Sequence, residues 1–214
     1  MGNGELGRVG GVAFAWYERL SAREKRIYDA SAKVREVVVP KVEGLRGVVA
    51  ELARGLEAED RGAVEGASAR LACGLCDQLG VARPIVRVKS KRPKSAGGEL
   101  HGLFEQEDGE PAVLTLWMRT AERRNVVAFK TFLRTLLHEV LHHLDYAYFR
   151  FKDSMHTEGF YARESSLLVQ LVPDAAAFAR PKRAKAPAPA PTKAAKREPS
   201  KAAAPKAVQL GLFD

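Results

Sequence analysis

Between residues 12 and 79 the apolar positions recur at helical spacing, with charged residues filling the opposite faces. "SAREKRIYDASAKVREVV" opens on Ser21 with Glu24 three positions later, the spacing of a capping box that starts a helix. Pro40 breaks that helix, "KVEGLRGVVAELARGL" predicts a second, and "EDRGAVEGASARLACGLCDQLG" a third ending at Gly80 as a C-terminal cap. The expected product is a helical bundle, or a helical lead-in to the next domain.

The period changes at Pro84. "IVRV" (85–88), "ELHGLFE" (99–105) and "AVLTLWM" (112–118) are short, β-rich runs separated by Gly and Pro turns. They predict a small three-stranded sheet, antiparallel because the connections are short. Helical spacing returns over 126–149 and, after a short loop, over 157–172. Beyond Pro173 the Ala/Pro/Lys composition cannot bury apolar surface and predicts disorder, until "QLGLFD" restores apolar character. The fold class expected is α+β: N-terminal helices, a three-stranded sheet packed on a long histidine-bearing helix and its successor, and a disordered C-terminal tail. The expected divisions are 1–80 (helical), 81–174 (core), 175–208 (basic linker) and 209–214 (terminal peptide).

Charge sharpens this division. Up to Ala179 there are 26 basic against 24 acidic residues, whereas Arg180–Asp214 holds nine against two, so most of the net +9 sits in the tail. An apolar fraction of 46% is ordinary for a globular chain. The residues "MGNGELGRVGG" show no signal-peptide pattern, and no apolar run approaches the roughly 20 residues a membrane span needs. Two cysteines, Cys73 and Cys76, cannot build a disulfide framework and read as small buried hydrophobes. A soluble, cytoplasmic monomer is expected.

Four of the five histidines crowd into "LLHEVLHHLDYAYFRFKDSMHTEGF", residues 136–160. His138 and His142 are four apart, one helical turn, so both imidazoles can reach one Zn²⁺ at roughly 2.0–2.1 Å. Glu139 lies beside that face, where it can hold a water at the metal and accept its proton; this is the HExxH pattern, here "HEVLH". A third ligand is required, and the residues leave three candidates. Asp145 is on the same stripe but about 10 Å along the axis from His138, better placed to orient His142 from behind. His156 follows His142 by 14 residues, and Glu164 by 22. His143 and His101 read as structural, and Tyr161 and Arg163 are candidate donors to an oxyanion.

"HEVLHH…HTEGFYARES" resembles the SprT-like metallopeptidases, including the Spartan proteases. The resemblance covers residues 84–172, with the histidine motif its specific part. In that family the HExxH is followed about 14 or 15 residues later by a His leading into a helix, with an aromatic residue shortly after; His156 and Phe160 match. The resemblance implies His138, His142 and His156 as zinc ligands and Glu139 as general base in peptide hydrolysis. The family's C-terminal zinc ribbon of four cysteines has no counterpart after Cys76.

"QLGLF" (209–213) resembles the pentapeptide that binds the bacterial DNA polymerase sliding clamp, which implies Gln209, Leu210, Leu212 and Phe213 as its contacts. A short peptide with apolar anchors and a polar hook on a leash suits a preformed groove. Nine Lys/Arg from Arg180 to Lys206, and Arg87, Lys89, Lys91, Arg92 and Lys94 beside the sheet, would meet DNA phosphates without reading sequence. The combined expectation is a zinc peptidase tethered to DNA and the clamp at the nucleoid, cleaving DNA-associated or DNA-crosslinked proteins. Its alternative is a non-catalytic clamp- and DNA-binding adaptor with a structural zinc.

Overall fold

A computed structural model of the chain describes residues 14, 16–95, 98–173 and 206–209, with backbone alone at 94, 95, 98, 99 and 206–209. The expected linker and terminal peptide lie outside the described residues except for 206–209.

The capping box forms as its spacing requires. Ser21 accepts from the Glu24 amide and Glu24 accepts from the Ser21 amide, opening α1 at Ala22–Lys33. That helix ends seven residues before Pro40, and 34–39 form neither helix nor strand, with Val37 and Val39 buried. The β-branched run Val37–Val39 disfavours a longer helix, and Gln170 bonds the backbone at Val37 and Val39. Helices α2 (Glu43–Glu57) and α3 (Arg61–Gln78) come next. Gly80 closes α3 with φ +67°, the Gly80 and Val81 amides returning to Asp77 and Cys76 as a left-handed cap does. Cys76 is fully buried one turn earlier, and burial pushes its thiol up to about 12.

The strands are β1 (Ile85–Lys91), the two-residue pair β2 (Lys94–Ser95) and β3 (Gly98–Glu99), β4 (Gly102–Gln106) and β5 (Val113–Arg119). The main sheet is mixed, where antiparallel pairing throughout was expected. β5 lies between β1 and β4, parallel to β1 (Ile85↔Val113) and antiparallel to β4 (Phe104↔Leu114). β1 and β4 thus stand one strand position apart, and β5 fills the gap between them. It is the strand suited to the centre, because Leu114 to Met118 are all buried, on both faces.

The two edges end differently. On β1, Glu65 of α3 accepts from the Val88 amide and Arg61 donates to the Val88 carbonyl. Along β4 a further strand, β6 (Lys206–Gln209), pairs antiparallel, from Leu103↔Gln209 to Gln106↔Lys206. Residues 206–208 of the segment expected to be disordered thus form an edge strand together with Gln209. Arg87, Lys89 and Lys91 on β1 are exposed, whereas Arg92 is buried.

Two helices complete the body, α4 (Phe129–Ala147) and α5 (Glu158–Leu171). One hydrophobic core runs without interruption from Val37 through α2, α3 and the sheet to Leu171. Among the described residues no helix is long and apolar enough to cross a membrane.

Candidate metal centre

The histidine-bearing stretch of α4 is the most deeply packed part of the molecule: every residue from Thr135 to Asp145 is buried. A single turn of helix therefore presents His138 and His142 inward, one above the other. His156 reaches them from the N-terminus of α5, because Thr157 caps that helix by accepting from the Phe160 amide. The His138 and His156 Nε2 atoms lie 2.8 Å apart, and those of His156 and His142 3.1 Å. Three donors at roughly 2.0–2.1 Å from one ion in tetrahedral array would stand ~3.3 Å from one another. The three histidines can thus hold a metal ion.

Their outer nitrogens are held by hydrogen bonds. His138 Nδ1 donates to Glu164 Oε2 at 3.1 Å, and Arg134 pairs with the other Glu164 oxygen at 2.9 Å. Ser154 Oγ donates to Asp145 Oδ2 at 2.8 Å, so it accepts from His142 Nδ1 at 2.7 Å. Asp145 in turn meets Arg163 Nη2 at 2.8 Å, both side chains wholly buried. These partners fix both tautomers with the Nε2 lone pairs facing the common point, the arrangement that raises ligand basicity. Beneath the three imidazoles lies Phe160, fully buried, its ring 4.7 to 5.2 Å from each of theirs. Burial first, and the neighbouring His138, His156 and Arg163 after it, hold the His142 imidazole neutral.

Glu139 differs from every other acidic group in the core. It is fully buried, yet neither carboxylate oxygen has a hydrogen-bond partner among the described residues. Burial, and secondarily the Glu164 carboxylate, push its carboxyl well above the usual range. Across from it stands Gly102 of β4, where a Cβ would come within 2.2 Å of Glu139 Oε1 and 2.8 Å of Thr135. The absent side chain on the strand is what makes room for the carboxylate. An orphaned buried carboxylate beside three convergent imidazoles fits a metal ion with a water that the carboxylate would face.

The structure brings together His138, Glu139, His142 and His156. Asp145 orients His142 as expected, through Ser154, a residue without any sequence signal. Glu164 has its oxygens on His138 Nδ1 and Arg134, outside the group that could hold the ion. Arg163 donates through its two terminal nitrogens to the Ser31 and Val34 carbonyls, the Ser31 hydroxyl and Asp145. Tyr161 does border the site, its ring stacked on His156 at 5.9 Å. His143 is buried on another side, donating Nε2–H to the Ala82 carbonyl, and His101 sits in the loop before β4. Leu210, Leu212 and Phe213 lie outside the described residues.

No protein-family model, no curated protein and no solved structure matches this chain.

Proposed function

We propose that this chain is a zinc-dependent peptidase of SprT-like type. The observation that carries the reading is the buried, unpartnered Glu139 carboxylate next to three imidazoles whose lone pairs converge. An all-imidazole donor set suits Zn²⁺. When bound, Zn²⁺ supplies a Lewis acid for a peptide carbonyl and for water. Glu139 takes the proton of the attacking water and returns it to the amine nitrogen as the peptide C–N bond breaks. Beside it, the outer edge of β4, where β6 pairs, has backbone groups along which an extended polypeptide can align by adding a strand once that edge is free.

The adaptor reading would gain from a closed site with a fourth protein ligand. Glu164 was the residue for that role, and its engagement with His138 Nδ1 and Arg134 favours the enzyme. The substrate class proposed is protein bound or crosslinked to DNA. The nine basic residues of 180–206 would supply salt-sensitive phosphate contacts. Gln209, Leu210, Leu212 and Phe213 would dock on the sliding clamp of a cytoplasmic, nucleoid-associated monomer.

The direct test is Glu139→Gln assayed on unfolded casein with Zn²⁺ present. Retained metal stoichiometry with proteolysis abolished supports the reading; undiminished proteolysis would sink it. Titrating a peptide of residues 207–214 against purified clamp tests the tether, which fails if no saturable binding is seen at high-micromolar concentration.

A further inference from the structure

The sheet has two edges, and they are finished by different means. Side chains of α3 take up the backbone of β1 at Val88. On β4 the outer edge is paired instead by backbone from far along the chain, β6 at Lys206–Gln209. This edge is not a remote one. Gly102 of β4 makes the room for Glu139, and Phe104 stacks 5.7 Å from Tyr146 and 6.0 Å from His142. The pairing runs up to Leu103, the residue next to Gly102.

From this we infer that Lys206–Gln209 is a built-in competitor for the peptide-binding edge of β4. The inference rests on the proposed reading that β4 aligns extended substrate. An extended polypeptide and the 206–209 segment need the same row of amides and carbonyls, since one strand edge forms a single ladder. Either can be present, not both. The apparent affinity for substrate is then the intrinsic affinity multiplied by the fraction of molecules whose edge is free. A segment docked nine-tenths of the time would weaken substrate binding about tenfold. Gln209 is the last residue of the strand and also the first of "QLGLF", so a protein that captures that pentapeptide would pull on the end of the strand.

The test separates docking from competition, and both from catalysis. Proline has no amide hydrogen and is poorly tolerated in a paired strand. Val208→Pro is therefore made in the full chain, with Ala207→Pro as the second variant. Amide hydrogen exchange of residues 102–106 reads docking. Binding of fluorescent, unfolded casein by Glu139→Gln protein, with and without the proline, reads competition without turnover. The expected result is faster exchange in β4 together with casein binding tightened about tenfold. Exchange in β4 unchanged by both prolines overturns the inference. So does faster exchange with unaltered casein affinity. Wild-type protein that binds casein but fails to cleave it with Zn²⁺ would instead remove the peptidase reading, with the competition still decided by the two proline variants.

Discussion

Gly102→Ala isolates the position of one carboxylate from everything else in the site. The added methyl would stand 2.2 Å from Glu139 Oε1, where ordinary contact begins at 3.4 Å, so the carboxylate must retreat by about 1.2 Å. Thr135 Cγ2, at 2.8 Å, has to yield as well. Both atoms are at the ends of side chains, so the fold can absorb the change at the roughly 1–3 kcal/mol typical of overpacking. The geometry of the proposed peptidase cannot. A misplacement near 1 Å costs about 10²-fold in rate, or ~2.7 kcal/mol of transition-state stabilisation. The three atoms nearest the added methyl belong to Glu139 and Thr135 and none to an imidazole, so metal stoichiometry should stay at the wild-type value. The assay is kcat/KM on unfolded casein with Zn²⁺, alongside metal content and thermal unfolding on the same preparations. A folded, metal-loaded Gly102→Ala protein within twofold of wild-type activity would refute the placement of Glu139 as general base against β4.

Metal analysis of His156→Ala should show loss of zinc and activity together, while Glu164→Ala keeps most of its zinc and binds it less tightly; the reverse order would make Glu164 the ligand. Arg163→Met strands Asp145 in the core without its partner, which typically costs about 3–5 kcal/mol. At ~2–4 °C per kcal/mol for a chain of this size, the melting temperature should fall by roughly 6–20 °C, and a fall under 3 °C would show that the pair is not buried. For metal-free protein, burial lowers the folded-state affinity of His142 and His156 for protons below the ordinary 6.5. At these two imidazoles the unfolded chain then binds more protons, so their contribution to stability is full above pH 6.5 and is lost as pH falls below it, while the Glu139 and Asp145 carboxyls, raised by burial, contribute with the opposite sign. Imidazole NMR titration of the folded apoprotein checks the imidazoles by themselves, with His142 and His156 titrating at or above 6.5 as the contrary result.

Residues adjacent in the chain carried much of this protein in plain view. The Ser21–Glu24 box and the Gly80 cap are local devices whose partners lie within six residues, so their spacing alone specifies them. The same is true of His138, Glu139 and His142, because one helical turn puts them on neighbouring faces whatever surrounds the helix. His156 was reached by resemblance rather than by geometry, since its approach depends on how α5 meets α4. The non-helical course of Val37–Val39 was hidden for a similar reason: its hydrogen bonds go to Gln170, more than 130 positions away. Short connections could not reveal that β5 inserts between β1 and β4, because strand order depends on which strand is apolar on both faces once the helices are in place. Ser154, Gly102 and the orienting role of Glu164 have no local signature at all. They acquire meaning only where separate segments converge, as does the pairing of Lys206–Gln209 with β4. Local spacing determined which atoms could act, and tertiary packing decided which of them meet, because a hydrogen bond or a shared ion is fixed by distance in space and is blind to distance along the chain.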